Sequence, residues 1–468
     1  MTTFENSRVF DVAVLGAGPK AAAIAAKAHV LNHLGLANIR IAIFEGRELG
    51  ATWTGNHGFT TGHEELGTRP EKDVGFPYQS MFYGRHDTTV DAAMALFSWQ
   101  SYLISRGEYR RWVDNGVPCP SHAEFADYLS WVLSRTTHGI RIDYSQVVRV
   151  EHCEGRWVIS HQAPSSKAVS TVVSKGVVVT GPGAPKGIPC AFEIKNHVFS
   201  FQSSRTATLS DVYPHDSRIC IIGAGESAIS TALFLIESFG KHVRLTFVTP
   251  SLPYSRAESS LENTVYSAPY LCRWDQLPEP VRIDFINRTD RGVMSPKSLA
   301  LLFKHKSLSF VLGKATAINR SDSGGVQLVI DQSNEIVRSE FDFVVNCGGF
   351  CPVSPFVALL DSAKEGIERT LGFQLTDASM VARRLDKSFA IRGLKPKLHF
   401  PALAGLLYGP GFSNLSCLGS LSDHVLAPYC KAHGETGEPL ARDSVADTEL
   451  TFSAEIDNRE HHSEYPFG

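Results

Sequence analysis

The stretch FDVAVL-GAGPKA-AAIAAKAHV, residues 10–30, is the strongest indication of the fold class. Residues 10–15 are apolar and β-branched, which predicts a strand, and the alanine-rich segment 21–30 predicts a helix. A second apolar run, IRIAIF, covers residues 39–44 and predicts another strand. A strand, a glycine turn, a helix and a strand in this order form the βαβ unit of a parallel, doubly wound sheet, so the chain is expected to be an α/β protein.

The turn between strand and helix fits the pattern GxGxxA. Gly16 permits the tight turn, Gly18 lets the backbone approach a pyrophosphate, and Ala21 lets the helix pack closely on the sheet. Glu45 closes the second strand, where a carboxylate can accept hydrogen bonds from both hydroxyls of an adenosine ribose. We therefore take Gly16, Gly18, Pro19 and Glu45 as candidate residues for a dinucleotide cofactor.

The same order of elements recurs about 200 residues later. Strand residues 218–222 read RICII, the turn 223–228 reads GAGESA, and a helix over 227–237 leads to the strand VRLTFV at 243–248. A second dinucleotide site is expected here, because each unit brings a helix N-terminus to the end of its first strand. Its candidate residues are Gly223, Gly225, Glu226 and Ser227.

The second unit lacks the acidic residue of the first, because its second strand ends in Val248-Thr249-Pro250. A carboxylate at this point would repel a 2′-phosphate, so its absence permits NADPH and argues against NADH. Arg256 is a candidate partner for that phosphate, and a surface arginine is the alternative.

Two dinucleotide sites in one chain predict transfer of a hydride from a nicotinamide to a flavin. A flavin disulfide reductase would need a close cysteine pair near the first unit, and none of the nine cysteines forms a CxxC motif. Reaction of the reduced flavin with oxygen is the natural remaining route.

Composition narrows the class of protein further. The net charge of −3 and the lack of clustered Lys and Arg argue against nucleic-acid binding, and no apolar run is long enough to predict a membrane span. The start of the chain does not read as a signal peptide, so we expect a cytoplasmic protein. No HExxH or similar ligand spacing is present, and no metal is predicted.

Two further strings carry a family resemblance. GHEELGTRPEKDVGFP at 62–77 and GPGFSNLSCLG at 409–419 resemble the siderophore N-hydroxylating flavin monooxygenases, and most closely the actinobacterial L-lysine N6-monooxygenases of the mycobactin and nocobactin type. The likeness runs from about residue 9 to residue 426, and it includes FSWQSYL at 97–103 and RTDRG at 288–292. The glycine turns are shared with many flavoproteins, whereas these strings are far more specific.

The resemblance assigns roles to four further residues. It implies that Lys72 holds the substrate carboxylate and that Asn263 binds substrate near the nicotinamide. Asp290 falls where relatives that use ornithine carry a substrate-contacting asparagine, and a helix N-cap is the alternative. Trp53 resembles a flavin contact of the form GxxW, with a core tryptophan as the alternative.

The resemblance also implies a domain plan, that of a class B flavin monooxygenase. Two Rossmann-like domains and a small helical substrate region are expected. The FAD domain would comprise residues 8–205 and 345–432, and the NADPH domain 206–344, with the substrate segment at 256–312. Residues 433–468 are polar and predict a tail outside the core. The family further suggests a homo-oligomer.

The implied reaction is N-hydroxylation of the side-chain amine of L-lysine with FAD, NADPH and O₂, through a C4a-hydroperoxyflavin, for siderophore-type biosynthesis. L-Ornithine or an aliphatic diamine remains an alternative substrate, and an NADPH oxidase or a non-catalytic flavoprotein remains an alternative function. The chain departs from ornithine enzymes in having Gly67 where they place a flavin-side glutamine, and Thr249 where they carry an arginine.

Overall fold

Two parallel sheets organise the chain, and the first is built around the strand that precedes Gly16. The computed structural model describes residues 9–189, 196–206, 216–322, 324–333 and 335–430. The first sheet has the order β20-β7-β1-β2-β3, with all neighbours parallel. Its strands are β1 (Val12–Leu15), β2 (Ile41–Phe44), β3 (Ile140–Asp143), β7 (Gly176–Val179) and β20 (Lys397–His399). The central strands are buried along almost their whole length, because both faces of the sheet are covered.

Helix α1 (Pro19–His33) covers one face of this sheet. It packs against α5 (His122–Arg135) and α15 (Leu418–Leu426), so it is buried on nearly all sides. Small side chains permit that close packing and also favour the helix. The alanines with no exposed surface are Ala21, Ala22, Ala23, Ala25, Ala26 and Ala28.

The second sheet repeats this plan in the order β14-β11-β10-β18-β9, again with parallel neighbours. Its strands are β9 (Val198–Ser200), β10 (Arg218–Ile222), β11 (Arg244–Thr249), β14 (Leu308–Leu312) and β18 (Phe343–Asn346). Helix α7 (Glu226–Phe239) follows β10 across the second glycine turn. Both predicted βαβ units are therefore confirmed, with strand ends shifted by one or two residues.

Smaller sheets complete each half. Two three-stranded antiparallel sheets consist of β4 (Gln146–Cys153), β5 (Arg156–Gln162) and β6 (Val169–Ser174), and of β15 (Lys314–Arg320), β16 (Val326–Asp331) and β17 (Ile336–Phe341). Two short pairs are β8 (Ala184–Pro185) with β19 (Phe350–Cys351), and β12 (Tyr254–Ser255) with β13 (Val293–Met294).

The remaining helices lie in three groups. Between β2 and β3, α5 is preceded by α2 (Asp87–Met94), α3 (Trp99–Ser105) and α4 (Tyr109–Asp114). Around the second sheet lie α6 (Ser203–Thr206), α8 (Ser260–Ser267), α9 (Glu279–Thr289) and α10 (Pro296–Leu302). The last group is α11 (Ser354–Val357), α12 (Ala363–Leu371), α13 (Ala378–Arg383), α14 (Gly405–Tyr408) and α15. The tail predicted at 433–468 lies outside the described residues.

Candidate active site

The first glycine turn has the geometry of a pyrophosphate cradle. Gly16 has φ +96°, and a Cβ there would lie 2.7 Å from Thr180 Oγ1, so only glycine fits the turn. A Cβ on Gly18, the residue at the N-terminus of helix α1, would meet none of the described protein atoms within 4 Å. Gly18 is the N-cap and has no side chain to cap the first-turn amides, which begin after Pro19. These residues fit a dinucleotide pyrophosphate.

Glu45 is fixed beside this turn. Its Oε2 accepts a hydrogen bond from the Ala17 amide at 2.9 Å, and its Oε1 accepts one from the Arg47 amide at 2.9 Å. Each carboxylate oxygen has further capacity to accept a hydrogen bond. The carboxylate is therefore held at the end of β2 with acceptor positions for ribose hydroxyls.

The loop that carries Trp53 is tied to the same turn. The Gly50 amide donates to the Ala17 carbonyl at 3.1 Å, and the Trp53 amide donates to the Gly50 carbonyl at 2.7 Å. The Trp53 ring packs edge-on against His122 and Phe125, with centroids 4.8 and 5.5 Å apart. Trp53 thus belongs to the packed surroundings of the first site, and its contact with a flavin stays a prediction.

The second turn repeats the geometry of the first. Gly223 has φ +118°, and a Cβ there would lie 2.6 Å from the Cys347 carbonyl oxygen. Gly225 is the N-cap of α7, and its added Cβ would meet Gly292 at an ordinary contact distance of 3.8 Å. Glu226 and Ser227 begin the helix. The turn fits a second dinucleotide.

The guanidinium of Arg256 contacts three neighbouring residues. Its Nε donates to Glu258 at 3.1 Å, its Nη2 donates to the Gly67 carbonyl at 3.1 Å, and its Nη1 lies 3.7 Å from a Glu226 oxygen. The guanidinium therefore links the second turn to the loop before Lys72. Two carboxylates compete with any phosphate for this side chain, and its role toward NADPH stays a prediction.

Lys72 and Asn263, 191 residues apart, meet directly. The Lys72 ammonium donates to Asn263 Oδ1 at 2.7 Å. Asn263 lies on α8, and its Nδ2 donates to the Ser259 carbonyl at 3.0 Å, which fixes the orientation of the amide. Burial lowers the pKa of Lys72, although the Cys417 thiol nearby opposes that shift. The contact joins a loop of the first sheet domain to the helical segment of the second.

Asp290 lies at the C-terminal end of α9, because its amide donates to the Ile286 carbonyl at 2.9 Å. The alternative of a helix N-cap is therefore wrong: Gly292, at φ +72°, ends the turn that follows the helix. The Asp290 carboxylate accepts a 3.4 Å hydrogen bond from Asn414 Nδ2 and lies 3.6 Å from Arg291 Nε.

Lys20, which contacts the loop at residues 413–417, was not among the site residues predicted from the sequence. The Lys20 ammonium donates to the Ser413 carbonyl at 3.0 Å. Burial lowers the pKa of Lys20 to about 8, while Cys417 and Asp290 favour its charged form. The only sequence signals were the position of Lys20 inside the glycine motif and the GPGFSNLSCLG string. The first turn, the end of α9 and this loop therefore converge.

Glu64 and Arg205 connect the two halves of the molecule. The Arg205 side chain, 2% exposed, forms an ion pair with Glu64 and donates to Ser230 Oγ on α7. Burial opposes the charged form of Glu64, but hydrogen bonds from Thr60, Arg205 and Thr61 lower its pKa from 4.5 to about 2. The ion pair therefore stabilises the fold through a charged Glu64.

We expect this ion pair to make stability depend on pH. Because the pKa of Glu64 is lower in the folded state, its contribution is present above about pH 4.5 and is lost as the pH falls toward 2. Glu64→Gln should cost about 2 kcal/mol at pH 7, since Arg205 loses its charged partner. Urea unfolding of the wild-type and Glu64→Gln proteins at pH 7 and pH 4 measures the difference between their free energies of unfolding. This difference should be smaller at pH 4 than at pH 7.

Glu65→Gln is the matched control, because Glu65 pairs with Lys297 at the surface, where both side chains are about half or more exposed. Its cost should stay below about 1 kcal/mol at either pH. An equal loss of stability for the two variants, or a Glu64→Gln difference that does not change with pH, would contradict the role given to the Glu64–Arg205 pair.

No helix in the part of the chain that the structure describes is long and apolar enough to cross a membrane. Within the same residues, no group of three or more His, Cys, Asp or Glu side chains could hold a metal ion.

Comparison with known proteins gives consistent matches. The model of the L-lysine 6-monooxygenase/L-ornithine 5-monooxygenase family matches residues 87–350. The L-lysine N6-monooxygenase MbtG of Mycobacterium tuberculosis strain H37Rv is 34% identical over 422 residues, which cover 89% of this chain and 94% of that protein. MbtG of Mycobacterium sp. strain MCS is also 34% identical, over 425 residues.

Solved structures give the same result. The lysine monooxygenase NbtG from Nocardia farcinica has a TM-score of 0.77 and 32% identity, covering 89% of this chain and 98% of that one. The ornithine N-hydroxylase KtzI of Kutzneria sp. 744 has a TM-score of 0.68 at 18% identity, which supports the shared fold.

Proposed function

Because the chain belongs to the L-lysine 6-monooxygenase/L-ornithine 5-monooxygenase family, we propose that it hydroxylates the side-chain amine of free L-lysine. L-Lysine, NADPH, a proton and O₂ are converted to N6-hydroxylysine, NADP⁺ and water. The observation that carries the substrate assignment is the contact between Lys72 and Asn263, which presents a cation at the junction of the two domains. The mycobacterial relatives at 34% identity, named as lysine enzymes, support the same choice.

Residues at the two glycine turns would hold the cofactors. Gly16, Gly18, Pro19 and Glu45 fit the adenosine diphosphate part of FAD, and Gly223, Gly225, Glu226 and Ser227 fit that of NADPH. Bound FAD and NADPH supply the redox chemistry that activates oxygen. The protein contributes binding, orientation and exclusion of water.

Lys72 would position the substrate by its carboxylate. The Lys72 ammonium has three donors, of which one is used by Asn263 Oδ1, so two remain for a carboxylate. Asp290 supplies a negative charge that suits the α-ammonium of an amino acid. A zwitterionic head group held at these residues would leave the side-chain amine free to extend toward the flavin.

The substrate amine must lose its proton before it can act as a nucleophile. A free lysine amine titrates at about 10.4, so about one molecule in 2,500 is neutral at pH 7. Transfer from water into a desolvated pocket favours the neutral amine. Because the charged head group is bound at a distance from the reacting nitrogen, one pocket can bind the head group in its charged form and the side-chain amine in its neutral form.

Product formation with three substrates tests the assignment. Purified enzyme with FAD and NADPH should form hydroxylamine from L-lysine, and less from L-ornithine, whose chain is one methylene shorter. Cadaverine has no carboxylate for Lys72 and should be poorer than lysine. Cadaverine turnover at or above the lysine rate would contradict the proposal that the substrate is an amino acid.

We expect NADPH to be preferred over NADH. The strand β11 ends at Thr249 without an acidic residue, so nothing at that position repels a 2′-phosphate. Stopped-flow reduction of the bound flavin by each nucleotide measures the preference. Equal rates with NADH would refute it.

Arg256→Ala decides whether that residue contributes to the preference. If Arg256 binds the 2′-phosphate, the NADPH advantage should fall by about ten-fold, as expected for one charge-assisted contact. If its bonds to Glu258 and Gly67 are its whole role, the preference should not change.

We also propose a cytoplasmic homo-oligomer, a dimer or a tetramer. The cysteines of the described residues are free thiols, which suits a reducing compartment. Light scattering of the purified protein and fractionation of cells that produce it measure these two properties. A monomer, or a protein recovered outside the cytoplasm, would overturn the respective proposal.

A further inference from the structure

Asp73, next to Lys72 in the chain, is a buried carboxylate that accepts three hydrogen bonds. Its exposed fraction is 2%. Oδ1 accepts from the Gly75 amide at 3.0 Å and from the Tyr78 hydroxyl at 2.7 Å, and Oδ2 accepts from the Trp99 amide at 2.9 Å. A carboxylate is rarely buried without such partners, because its transfer out of water is costly. The three donors come from two separate parts of the chain.

These bonds fasten the loop that carries Lys72 to the helical layer. Trp99 is the first residue of α3, so Oδ2 accepts a first-turn amide at a helix N-terminus, where negative charge is favourable. The Val74 amide donates to the Tyr128 hydroxyl at 3.2 Å, which adds a bond to α5. On the other side, the Gly419 amide of α15 donates to the Phe76 carbonyl at 2.8 Å.

The loop is also closely packed. A Cβ on Gly75 would lie 2.4 Å from the Tyr78 ring, and a Cβ on Gly419 would lie 2.1 Å from the Gly75 carbonyl oxygen. Tyr78, at φ +59°, therefore covers Gly75 while its hydroxyl reaches Asp73. The Lys72 amide, just before this unit, donates to the Arg69 carbonyl at 3.0 Å. The backbone that carries the Lys72 side chain is therefore fixed on its C-terminal side by Asp73.

We infer that Asp73 is a positioning residue for the reaction, and that it acts by holding Lys72 where the ammonium can bind the substrate carboxylate. The inference rests on the proposed function, because it requires a substrate with a carboxylate. Asp73 itself is shielded from the substrate by its burial and by its three donors. Its effect on the reaction passes through the backbone of residue 72 to the Lys72 side chain.

The surroundings of Asp73 make its charge sensitive to pH. Burial raises the pKa of Asp73 to about 6, although the hydrogen bonds from Tyr78, Trp99 and Gly75 oppose this shift. The tyrosines that face it, Tyr78 and Tyr128, have pKa values raised by burial and stay neutral, and Asp91 faces Tyr78 from α2. Lys72 in turn faces Cys417, Arg256 and Glu258.

Protonation of Asp73 would replace one acceptor position with a donor, and of its three partners only the Tyr78 hydroxyl can accept a hydrogen bond, since the Gly75 and Trp99 amides can only donate. The KM for lysine should therefore rise as the pH falls through about 6. Flavin reduction by NADPH should not follow that profile, because neither glycine turn contacts Asp73. The lysine KM of Asp73→Asn should lack this pH dependence. If the same pH dependence persists in Asp73→Asn, Asp73 is not its source.

Asp73→Asn is the direct variant, because it keeps the size of the side chain. The amide oxygen can still accept from Gly75 and Tyr78, but the amide nitrogen would face the Trp99 amide as a second donor. We expect the lysine KM to rise about ten-fold, with FAD content and flavin reduction unchanged. The KM for cadaverine should stay within about two-fold, since cadaverine has no carboxylate. Tyr78→Phe removes one donor and should give a smaller change in the same direction.

A double-mutant cycle with Lys72→Ala decides between positioning and general damage. If Asp73 acts through Lys72, Asp73→Asn should change the lysine KM by less than two-fold once Lys72 is alanine. A full ten-fold change in that background, or an equal change for cadaverine, would overturn the inference, as would an unchanged lysine KM in Asp73→Asn alone. If Asp73→Asn does not fold, the same cycle is run with Tyr78→Phe. Failure of the proposed function can be distinguished from failure of this inference, because the wild-type protein would then form no hydroxylamine from lysine.

Discussion

Gly18→Val is expected to give a folded protein that contains no FAD. Gly18 has an ordinary extended backbone, and the described protein atoms leave room for a Cβ, so the substitution should not strain the fold. A valine side chain would instead fill the space required by the pyrophosphate. The absorbance of the purified variant at flavin wavelengths, with circular dichroism as the check on folding, measures the outcome. Gly16→Val is less informative, because its positive φ and its contact with Thr180 would damage the turn itself.

Gly225→Val is the matched control on the second turn. Its Cβ would meet Gly292 at 3.8 Å, so this protein should also fold. It should keep FAD and accept electrons from dithionite, yet its flavin should be reduced by NADPH at least 100-fold more slowly. Stoichiometric flavin in a folded Gly18→Val protein, or rapid NADPH reduction of the Gly225→Val protein, would contradict the assignment of the two turns.

Lys72→Ala is expected to raise the lysine KM by about ten- to a hundred-fold. If Lys72 holds the substrate as proposed, the substitution removes a charge-assisted hydrogen bond to the substrate carboxylate, which is worth roughly 1.5–3 kcal/mol. FAD content and flavin reduction should survive, because Lys72 belongs to neither glycine turn. A poorly held substrate should divert reducing equivalents to hydrogen peroxide. Steady-state kinetics and the ratio of hydroxylamine formed to NADPH consumed measure both effects.

Arg69→Ala provides the control for Lys72→Ala. Arg69 is a cation on the same loop, but its side chain is 57% exposed and pairs with Glu71. Its removal should leave the lysine KM and the product ratio unchanged. Unchanged kinetics in a folded Lys72→Ala protein, or equal effects of the two substitutions, would refute the role proposed for Lys72.

The two glycine turns could be predicted from the sequence because their signals are local. A strand, a glycine pattern and an alanine-rich helix lie within about 25 residues, and each part specifies its own geometry. The contact of Lys72 with Asn263 has no local signal, since it depends on how a loop of one domain meets a helix of the other. At the level of sequence, only the family resemblance indicated that both residues contact the substrate.

Burial of charged side chains was the part that could not be predicted. Asp73 and Lys20 look like ordinary polar residues in the sequence, and their environment is created by distant segments that fold over them. The alternative of a helix N-cap for Asp290 failed for a related reason. Aspartate is common at N-caps, but here Asp290 is the C-cap of α9, and Gly292 ends the turn that follows this helix.

The fate of molecular oxygen in the presence of L-lysine tests the proposed hydroxylation most directly. The purified protein, loaded with FAD, is supplied with NADPH, lysine and ¹⁸O₂, and the amino acid is analysed by mass spectrometry. We expect N6-hydroxylysine that carries one ¹⁸O atom, formed in near-equal amount to the NADPH consumed. NADPH consumption that yields hydrogen peroxide and unmodified lysine would contradict the proposed hydroxylation and identify an oxidase instead.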